Sequence, residues 1–236
     1  DFLDLGAADR DIVTIPNGVD LDWFAPERSA KEIRSELGWP SNGTVILTTG
    51  RNHPKKGFDL IPAIAAKLRD EGFRFSWYVV GLGVEAISED IRARGLQDFV
   101  ITHEEIGVDA SRGAEWRFPD KKLVAMYQAS DIYAFPSLLE TFGMVQIEAM
   151  AAGVAVVSTD APGCRDVVEH GVTGLLVPAR DADALAEAIL SLLNDAELRA
   201  RYGAAARRGA EAEFDQRGVV RSYLSIYERL WGATAA

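Results

Sequence analysis

From Val45 onward, short β-branched and aromatic runs alternate with longer stretches of helical periodicity, which restricts the chain to βαβ units around a parallel sheet. The candidate strands are Val45 to Thr49, Phe75 to Val80, Phe99 to Thr102, Ile132 to Phe135, Val154 to Ser158 and Leu175 to Val177. Each is apolar nearly throughout, as strands are when helices cover both faces of the sheet. The expected fold class is therefore α/β, a doubly wound parallel sheet of about six strands. Such sheets bind ligands at the carboxyl ends of their strands, so the residues just after each run matter most.

Outside this unit the pattern changes. Ile12-Val13-Thr14-Ile15-Pro16-Asn17-Gly18-Val19-Asp20 reads as a strand broken by proline and followed by an Asn-Gly turn, a connector into the domain. Asp181 and Asp195 are expected N-caps of two late helices, and Val219, Val220, Tyr223, Leu224, Ile226, Tyr227 and Leu230 give a last helix an apolar stripe. Arg199, Arg201, Arg207 and Arg208 alternate with Glu197, Glu211 and Glu213, which reads as a solvated helix face rather than a binding patch. The polar segment from His103 to Pro119 is long for a connection after a strand, and it lies on the ligand side of the sheet.

Composition excludes several classes. With 236 residues, 48% of them hydrophobic and 26% charged, the chain can bury a substantial core. It has no apolar run of the roughly 18 residues needed to span a bilayer, and Asp1 to Asp9 lack the basic and apolar regions of a signal peptide. A soluble, cytoplasmic protein is expected. The sequence starts at Asp1 and reads as a piece of something longer. A single cysteine, Cys164, rules out an internal disulfide and a cysteine-based zinc cluster, and reads as a quiet thiol. The net charge of −11 repels nucleic acid and anionic lipid over most of the surface. An anionic ligand must then be held by a few placed cations and backbone N–H groups in one cleft.

Two constellations fit that demand. The first runs from Pro136 to Gly153: the strand Ile132 to Phe135 should deliver Glu140 to the mouth of the sheet, and Thr141-Phe142-Gly143 should open a helix ending at Gly153. A helix N-terminus offers free N–H groups and a positive dipole end to a phosphate, and Gly143 lets the backbone come close. Glu148, about one turn inside, would accept hydrogen bonds from hydroxyls. Taken alone, the glutamates read more simply as a helix cap and a solvated helical position. The second constellation is Gly50-Arg51-Asn52-His53-Pro54-Lys55-Lys56-Gly57, directly after the first strand, which can put Arg51 and Lys56 over a diphosphate. Two cations and a helix N-terminus at the ends of two strands together point to an anion site.

At these residues the chain resembles the C-terminal, donor-binding domain of a GT-B glycosyltransferase of the group 1 kind, the retaining family four. Glu140 and Glu148 match its two glutamates separated by seven residues. Asn17-Gly18-Val19-Asp20, Gly50-Arg51 with Lys56-Gly57, Gly81-Leu82-Gly83, Ala129-Ser130-Asp131, Glu148-Ala149-Met150-Ala151-Ala152-Gly153 and Gly171-Val172-Thr173-Gly174-Leu175-Leu176-Val177 occur in the family's order. The resemblance implies a Rossmann-like sheet forming the C-terminal half of a GT-B enzyme. It implies an interdomain connector over 1–40, a nucleotide-sugar-binding domain over 41–215, and a C-terminal helix over 216–236 that packs toward the N-terminal domain. By the same resemblance, Arg51 and Lys56 bind the donor diphosphate and stabilise the leaving phosphate without a metal. Phe142, Gly143 and Met144 contact sugar and phosphates through backbone N–H groups, Glu148 holds the ribose, and Glu140 meets the donor sugar. Thr141, Gly50, Gly81, Gly83 and His103 are also expected on the donor side. Family members retain anomeric configuration, explained by front-face attack in which the leaving phosphate helps deprotonate the acceptor. The implied activity is hexosyl transfer from an NDP-sugar, with a UDP-sugar as the first guess and no cofactor. The acceptor would be read by the N-terminal domain, without which this piece would bind donor but not transfer. Membrane association of the parent enzyme finds no support in this acidic sequence.

Two positions depart from the family pattern. Pro162-Gly163-Cys164-Arg165-Asp166 stands where a Gly-Gly pair followed by Glu is common, and the segment from His103 to Pro119 is longer than usual; it is expected to border the base or sugar. Two other readings compete. Gly81-Leu82-Gly83-Val84-Glu85-Ala86 with Glu104 about 20 residues on fits the fingerprint of an NAD(P)-binding oxidoreductase domain. It falls in the second βα unit, however, and leaves Arg51, Lys56, Glu140 and Glu148 without a task. A non-catalytic nucleotide-binding module is the other. No metal is expected: Asp20-Leu21-Asp22 and Asp181-Ala182-Asp183 only imitate a metal motif, and His53, His103 and His170 are scattered.

Overall fold

A computed structural model of the chain describes residues 12–104 and 119–234. Six parallel strands form one sheet: β1 (Thr44–Thr49), β2 (Phe75–Val80), β3 (Val100–His103), β4 (Ile132–Phe135), β5 (Ala155–Thr159) and β6 (Gly174–Val177), in the order β3-β2-β1-β4-β5-β6. All six expected strands are present, with ends shifted by a residue or so. The helices are α1 (Ala30–Leu37), α2 (Ile61–Asp70), α3 (Ser88–Ala93), α4 (Lys121–Gln128), α5 (Met144–Ala151), α6 (Ala182–Asn194), α7 (Ala196–Glu213) and α8 (Gln216–Thr234).

Side-chain alternation sorts the core into two layers. Val45, Leu47, Tyr78 and Tyr133 face one side, where α1, α4, α5 and part of α7 cover them. Ile46, Trp77, Val79 and Ile132 face the other, under α2, α3 and α6. Burial on both sides explains why the strands carry no polar face. The order of the sheet reverses direction between β1 and β4, which pair from Ile46 with Ile132. Their amino ends are tied by one ion pair: Arg34 bonds Asp131 Oδ2 (2.7 Å), and the same oxygen accepts from the Val45 N–H (2.7 Å). The Ala129-Ser130-Asp131 segment therefore has a structural task at the end of the sheet remote from the crevice.

The expected caps are found, with Asp181 accepting from the Ala184 N–H and Asp195 from the Leu198 N–H, both at 2.8 Å. Ile12 to Ile15 form no strand, contrary to expectation. Pro16 has no N–H to give a ladder, and the first pairing comes at Val19, which exchanges hydrogen bonds with Phe214 and Gln216 at the α7–α8 junction (2.8 and 3.0 Å). Arg201 and Arg208 of α7 are exposed as expected, but its two other arginines do more than face solvent. Arg199 bonds the Leu192 carbonyl, and Arg207 reaches the Ala151 carbonyl at the end of α5 as well as Glu211. Along α8 the apolar stripe lies open, with Val220, Tyr223, Leu224 and Tyr227 all exposed. Among the described residues no helix is long and apolar enough to cross a membrane.

Gly81, at the end of β2, has φ 149°, and a side chain there would collide with the carbonyl of Gly50 at the end of β1. Gly72 also has positive φ, but open space around it. Gly81→Ala should therefore cost about 3 kcal/mol or more, against about 1–2 kcal/mol for Gly72→Ala, read from urea denaturation midpoints. Equal losses would mean that the close approach contributes nothing.

Candidate functional site

The carboxyl ends of β1 and β4 open the crevice at the point where the strand order reverses, the place where sheets of this kind take ligands. β1 runs out at Gly50, and the chain passes through Arg51 and Asn52 into a single 3₁₀ turn, Pro54–Lys56. His53 caps that turn, its Nδ1 accepting from the Lys55 N–H (3.2 Å). Gly57 ends it with φ 65°, and a side chain there would strike the Pro136 carbonyl just after β4. The Leu138 N–H donates to the Lys55 carbonyl (2.7 Å). Backbone contact thus lays the loop after β1 directly on the loop after β4.

That contact sets the central ion pair. Lys56 Nζ lies 2.5 Å from Glu140 Oε1, and the Ser137 hydroxyl lies 2.7 Å from the same oxygen. Ser137 is also 3.1 Å from the Lys55 carbonyl, but its one proton goes to the nearer, charged acceptor. The Lys56 and Glu140 side chains keep 25% and 11% of their exposure, so the pair borders the crevice without being sealed. Glu140 does not cap α5. Its N–H donates to the Pro162 carbonyl (3.0 Å), and Gly163 packs against its backbone. Asp166, without an expected role, accepts from the Gly163 N–H (3.2 Å) and holds that loop in place.

The helix expected to open at Thr141 starts three residues later. Gly143, at φ 66°, is the N-cap of α5 and makes no side-chain cap bond, so Thr141 and Phe142 remain in the approach loop. Among the described residues no side chain makes a cap bond there, although the Gln146 side chain lies against Gly143 and the Gln146 N–H donates to the Gly143 carbonyl (2.9 Å). The amides before it are the ones that can meet an anion. Glu148 is not the solvated helical position of the simpler reading. It is only 6% exposed, and its Oε2 accepts from the Tyr127 hydroxyl (2.8 Å). Burial in an apolar layer pushes its carboxyl up to about 7, against the smaller opposing effect of the Tyr127 bond. Burial likewise pushes the Cys164 thiol up to about 11, which makes it unreactive.

The glycines after β2 stand one strand away. The Gly81 N–H donates to the His103 carbonyl (3.0 Å), and Asn52 clamps the turn through Leu82 and Gly83 (2.8 and 2.9 Å). His103 stacks on Tyr78, centroids 5.8 Å apart, and burial lowers its pKa, with Lys122 adding to the effect. After Gly83 the chain makes a 3₁₀ turn, Val84–Ile87, and then the six-residue α3, not a long helix aimed at a pyrophosphate. The dinucleotide fingerprint is thus displaced from the switch point and lacks its helix. Arg51 is exposed and makes no ion pair among the described residues, beside Lys56 in the same loop. Residues 105–118, most of the long polar segment, lie outside the described residues. The two acidic pairs are occupied elsewhere: Asp22 with Arg217, Asp181 as a cap, and Asp183 with Lys67 (3.0 Å). Among the described residues no group of three or more acidic, His or Cys side chains could hold a metal.

The family profile described as "Glycosyl transferases group 1" matches residues 29–209. The chain belongs to this family. It is 33% identical over 229 residues to a D-inositol 3-phosphate glycosyltransferase of Saccharomonospora viridis, covering 96% of this chain and 52% of that protein. It is 34% identical over 232 residues to a phosphatidyl-myo-inositol mannosyltransferase of Mycobacterium leprae, covering 94% of this chain and 54% of the relative. The chain thus spans about half the length of the curated relatives it matches. Among solved structures, the HepE protein of Anabaena in complex with UDP superposes with a TM-score of 0.81 at 24% identity, over 97% of this chain and 60% of that one. The C-terminal domain of a group 1 protein of Francisella tularensis gives 0.70 at 22% identity, over 84% of this chain and 99% of that one. At those identities the likeness establishes the fold alone, a Rossmann-like sheet of the GT-B kind. Group 1 membership accounts for the ordered glycines and the glutamate pair together, which the dinucleotide-binding reading does not.

Sequence reasoning missed Ser137, Asn52, Asp166 and Tyr127. Ser137 could have been found, because it comes just after a strand that points at the site. Tyr127 could not, because nothing in a helix pattern tells a buried phenol from a core-filling ring.

The raised carboxyl of Glu148 has a consequence for stability. Its folded pKa, about 7, lies above the ordinary carboxylate value of 4.5, so the folded state holds the extra proton between those pH values and loses stability as pH rises through them. Glu148→Gln removes this contribution. The stability of Glu148→Gln relative to the parent should rise by about 3 kcal/mol between pH 4.5 and 7.5, measured by urea denaturation. A difference that does not change with pH would contradict the shift.

Proposed function

We propose that this chain is the nucleotide-sugar-binding half of a retaining, metal-independent glycosyltransferase that moves a hexosyl-type sugar from an NDP-sugar to an acceptor hydroxyl. The observation that carries the reading is the Lys56–Glu140 pair, 2.5 Å long, beside the N-terminus of α5 that no side chain caps, in the crevice between β1 and β4. Breaking the bond between sugar and diphosphate puts negative charge on the leaving phosphate. Arg51, Lys56 and the first amides of α5, near Phe142, Gly143 and Met144, are the groups that meet that charge. Glu140, held by Lys56 and Ser137, is an acceptor for the hydroxyls of the donor sugar, and Glu148 for those of the ribose. Gly50, Gly81 and Gly83 keep the adjoining turns close, and His103 borders the nucleotide from β3. In front-face transfer the leaving phosphate oxygen takes the acceptor proton, so no side chain is needed as base.

UDP is the first donor nucleotide to try, because HepE of Anabaena was solved with it. The names of two relatives share an inositol-bearing acceptor, which makes an inositol hydroxyl the acceptor class to assay first. Residues 1–40 act as connector, 41–215 as the donor domain, and 216–236 as a C-terminal segment whose helix α8, through the exposed Val220, Tyr223, Leu224 and Tyr227, packs on the acceptor-binding half of a whole enzyme. Transfer then requires that second half, and the soluble, cytoplasmic setting expected of the sequence belongs to the same reading.

Calorimetric titration of the chain with UDP, GDP, ADP and NADH tests it. One nucleoside diphosphate should bind equally with magnesium or EDTA, and Lys56→Ala and Arg51→Ala should each weaken binding by about 10- to 100-fold. Binding of NADH alone, indifferent to both substitutions, would move the site to Gly81-Leu82-Gly83 and overturn the reading.

A further inference from the structure

Glu148 ends a chain of buried hydroxyls that runs through three other elements. Tyr127 on α4, Tyr133 on β4 and Thr49 on β1 are all buried. The Thr49 hydroxyl lies 2.7 Å from that of Tyr127 and 2.9 Å from that of Tyr133, and the Tyr127 hydroxyl lies 2.8 Å from Glu148 Oε2. Once Glu148 is ionised it can only accept, and this sets the direction of the chain. Tyr127 must donate to Glu148 and accept from Thr49, and Thr49 must accept from Tyr133. Burial holds both phenols well above their ordinary values, so they stay neutral donors.

The other oxygen of Glu148, Oε1, has no hydrogen-bond partner among the described residues. Only Gln146 Oε1 and Ser158 Oγ are both sealed from solvent and unpartnered there, so the residual 6% exposure of Glu148 leaves its Oε1 open. Resting on the donor-site reading above, we propose that Tyr127, oriented by Thr49 and Tyr133, is a positioning residue that pins one oxygen of Glu148 inward and so presents the other to the ribose hydroxyls of the nucleotide. Packing alone would not choose between the two oxygens, since a carboxylate is symmetric and its terminal torsion is soft. The directed hydrogen bond does choose.

The titratable groups facing Glu148 are Tyr127 from α4 and Tyr133 from β4. No charged side chain makes an ion pair with it among the described residues. Burial raises its proton affinity, and the Tyr127 bond, which favours the carboxylate, is the smaller opposing effect. Removing the phenol hydroxyl should raise the carboxyl further. UDP affinity, if it needs the carboxylate, should then be lost at a higher pH than in the parent.

The test compares the 236-residue chain with Tyr127→Phe, Thr49→Val and Glu148→Gln, using UDP as the probe from pH 5.5 to 8.5, with near-UV circular dichroism to confirm packing. The ionisation of UDP itself is common to all four proteins, so effects are read relative to Glu148→Gln. Tyr127→Phe should bind UDP about tenfold more weakly at pH 8, with its acid limb moved to higher pH, and Thr49→Val should move in the same direction by less. A Tyr127→Phe protein with the parent's affinity and acid limb, while Glu148→Gln loses the limb, overturns the positioning role and leaves the donor site standing. If Glu148→Gln binds as the parent does, or if UDP does not bind, the donor reading fails instead for this nucleotide. The Glu148 carboxyl resonance, followed by carbon-13 NMR without nucleotide, still decides the positioning role in that event: an unchanged titration midpoint in Tyr127→Phe overturns it, and a raised one supports it.

Discussion

Backbone meeting backbone at the mouth of the sheet is the constraint on which the rest of the site depends. Gly57 against the Pro136 carbonyl, Gly81 against that of Gly50, and Gly163 against that of Glu140 bring the turns there closer than side chains would allow. Each contact joins loops that come after different strands, and hydrogen bonds such as Leu138 to Lys55 and Glu140 to Pro162 lock them. Lys56 and Glu140 meet at 2.5 Å although 84 residues separate them in the chain, because the turns that carry them cannot slide. A site assembled this way is rigid before any ligand arrives, and rigidity lets a few charges act in defined directions.

Those charges work against the rest of the molecule. A net charge of −11 opposes any phosphate, and Glu140 offsets the nearest ammonium. On the proposed reading the arrangement separates two ends of one ligand. The carboxylate that holds Lys56 repels a phosphate and attracts hydroxyls, so the sugar belongs near Glu140. The diphosphate belongs toward Arg51 and the α5 amides. Ser137 strengthens this division by donating to Glu140, which keeps the carboxylate oriented even when Lys56 turns toward a leaving phosphate.

The architecture was legible because its signals are local and repeated. Six apolar runs and their intervening periodicity name the strands, and Asp181 and Asp195 announce their helices one residue before these begin. Ile12 to Ile15 misled for the same reason: the residues favour a strand, but a strand exists only where a neighbour offers its edge, and proline removes one donor besides. At the site, Arg51, Lys56, Glu140 and Gly143 were legible from their position just after strands. The start of α5 was not, since Thr141 is a good cap by type and only the left-handed turn at Gly143 moves the helix onward. Environment was illegible altogether: the spacing that puts Glu148 one turn into the helix says nothing of the aromatic layer beneath it.

That layer makes Glu148 an expensive residue to keep. A carboxylate with one hydrogen bond in an otherwise apolar layer loses hydration that the single phenol does not replace, and a methionine or glutamine of similar volume would pack there at less cost. The same layer devotes two phenols, that of Tyr127 among them, and a threonine to orienting that one oxygen, where phenylalanines and a valine would fill the space. Four polar groups arranged so that each donates to the next, ending on a carboxylate whose second oxygen is left open, stabilise the fold less than their apolar equivalents would. What the arrangement supplies instead, on the proposed reading, is an acceptor fixed in direction one helical turn from the amides of α5. Sites where stability is given up for a placed, shifted titratable group are where binding and catalysis concentrate, and here that physical criterion selects the same crevice as the topology of the sheet.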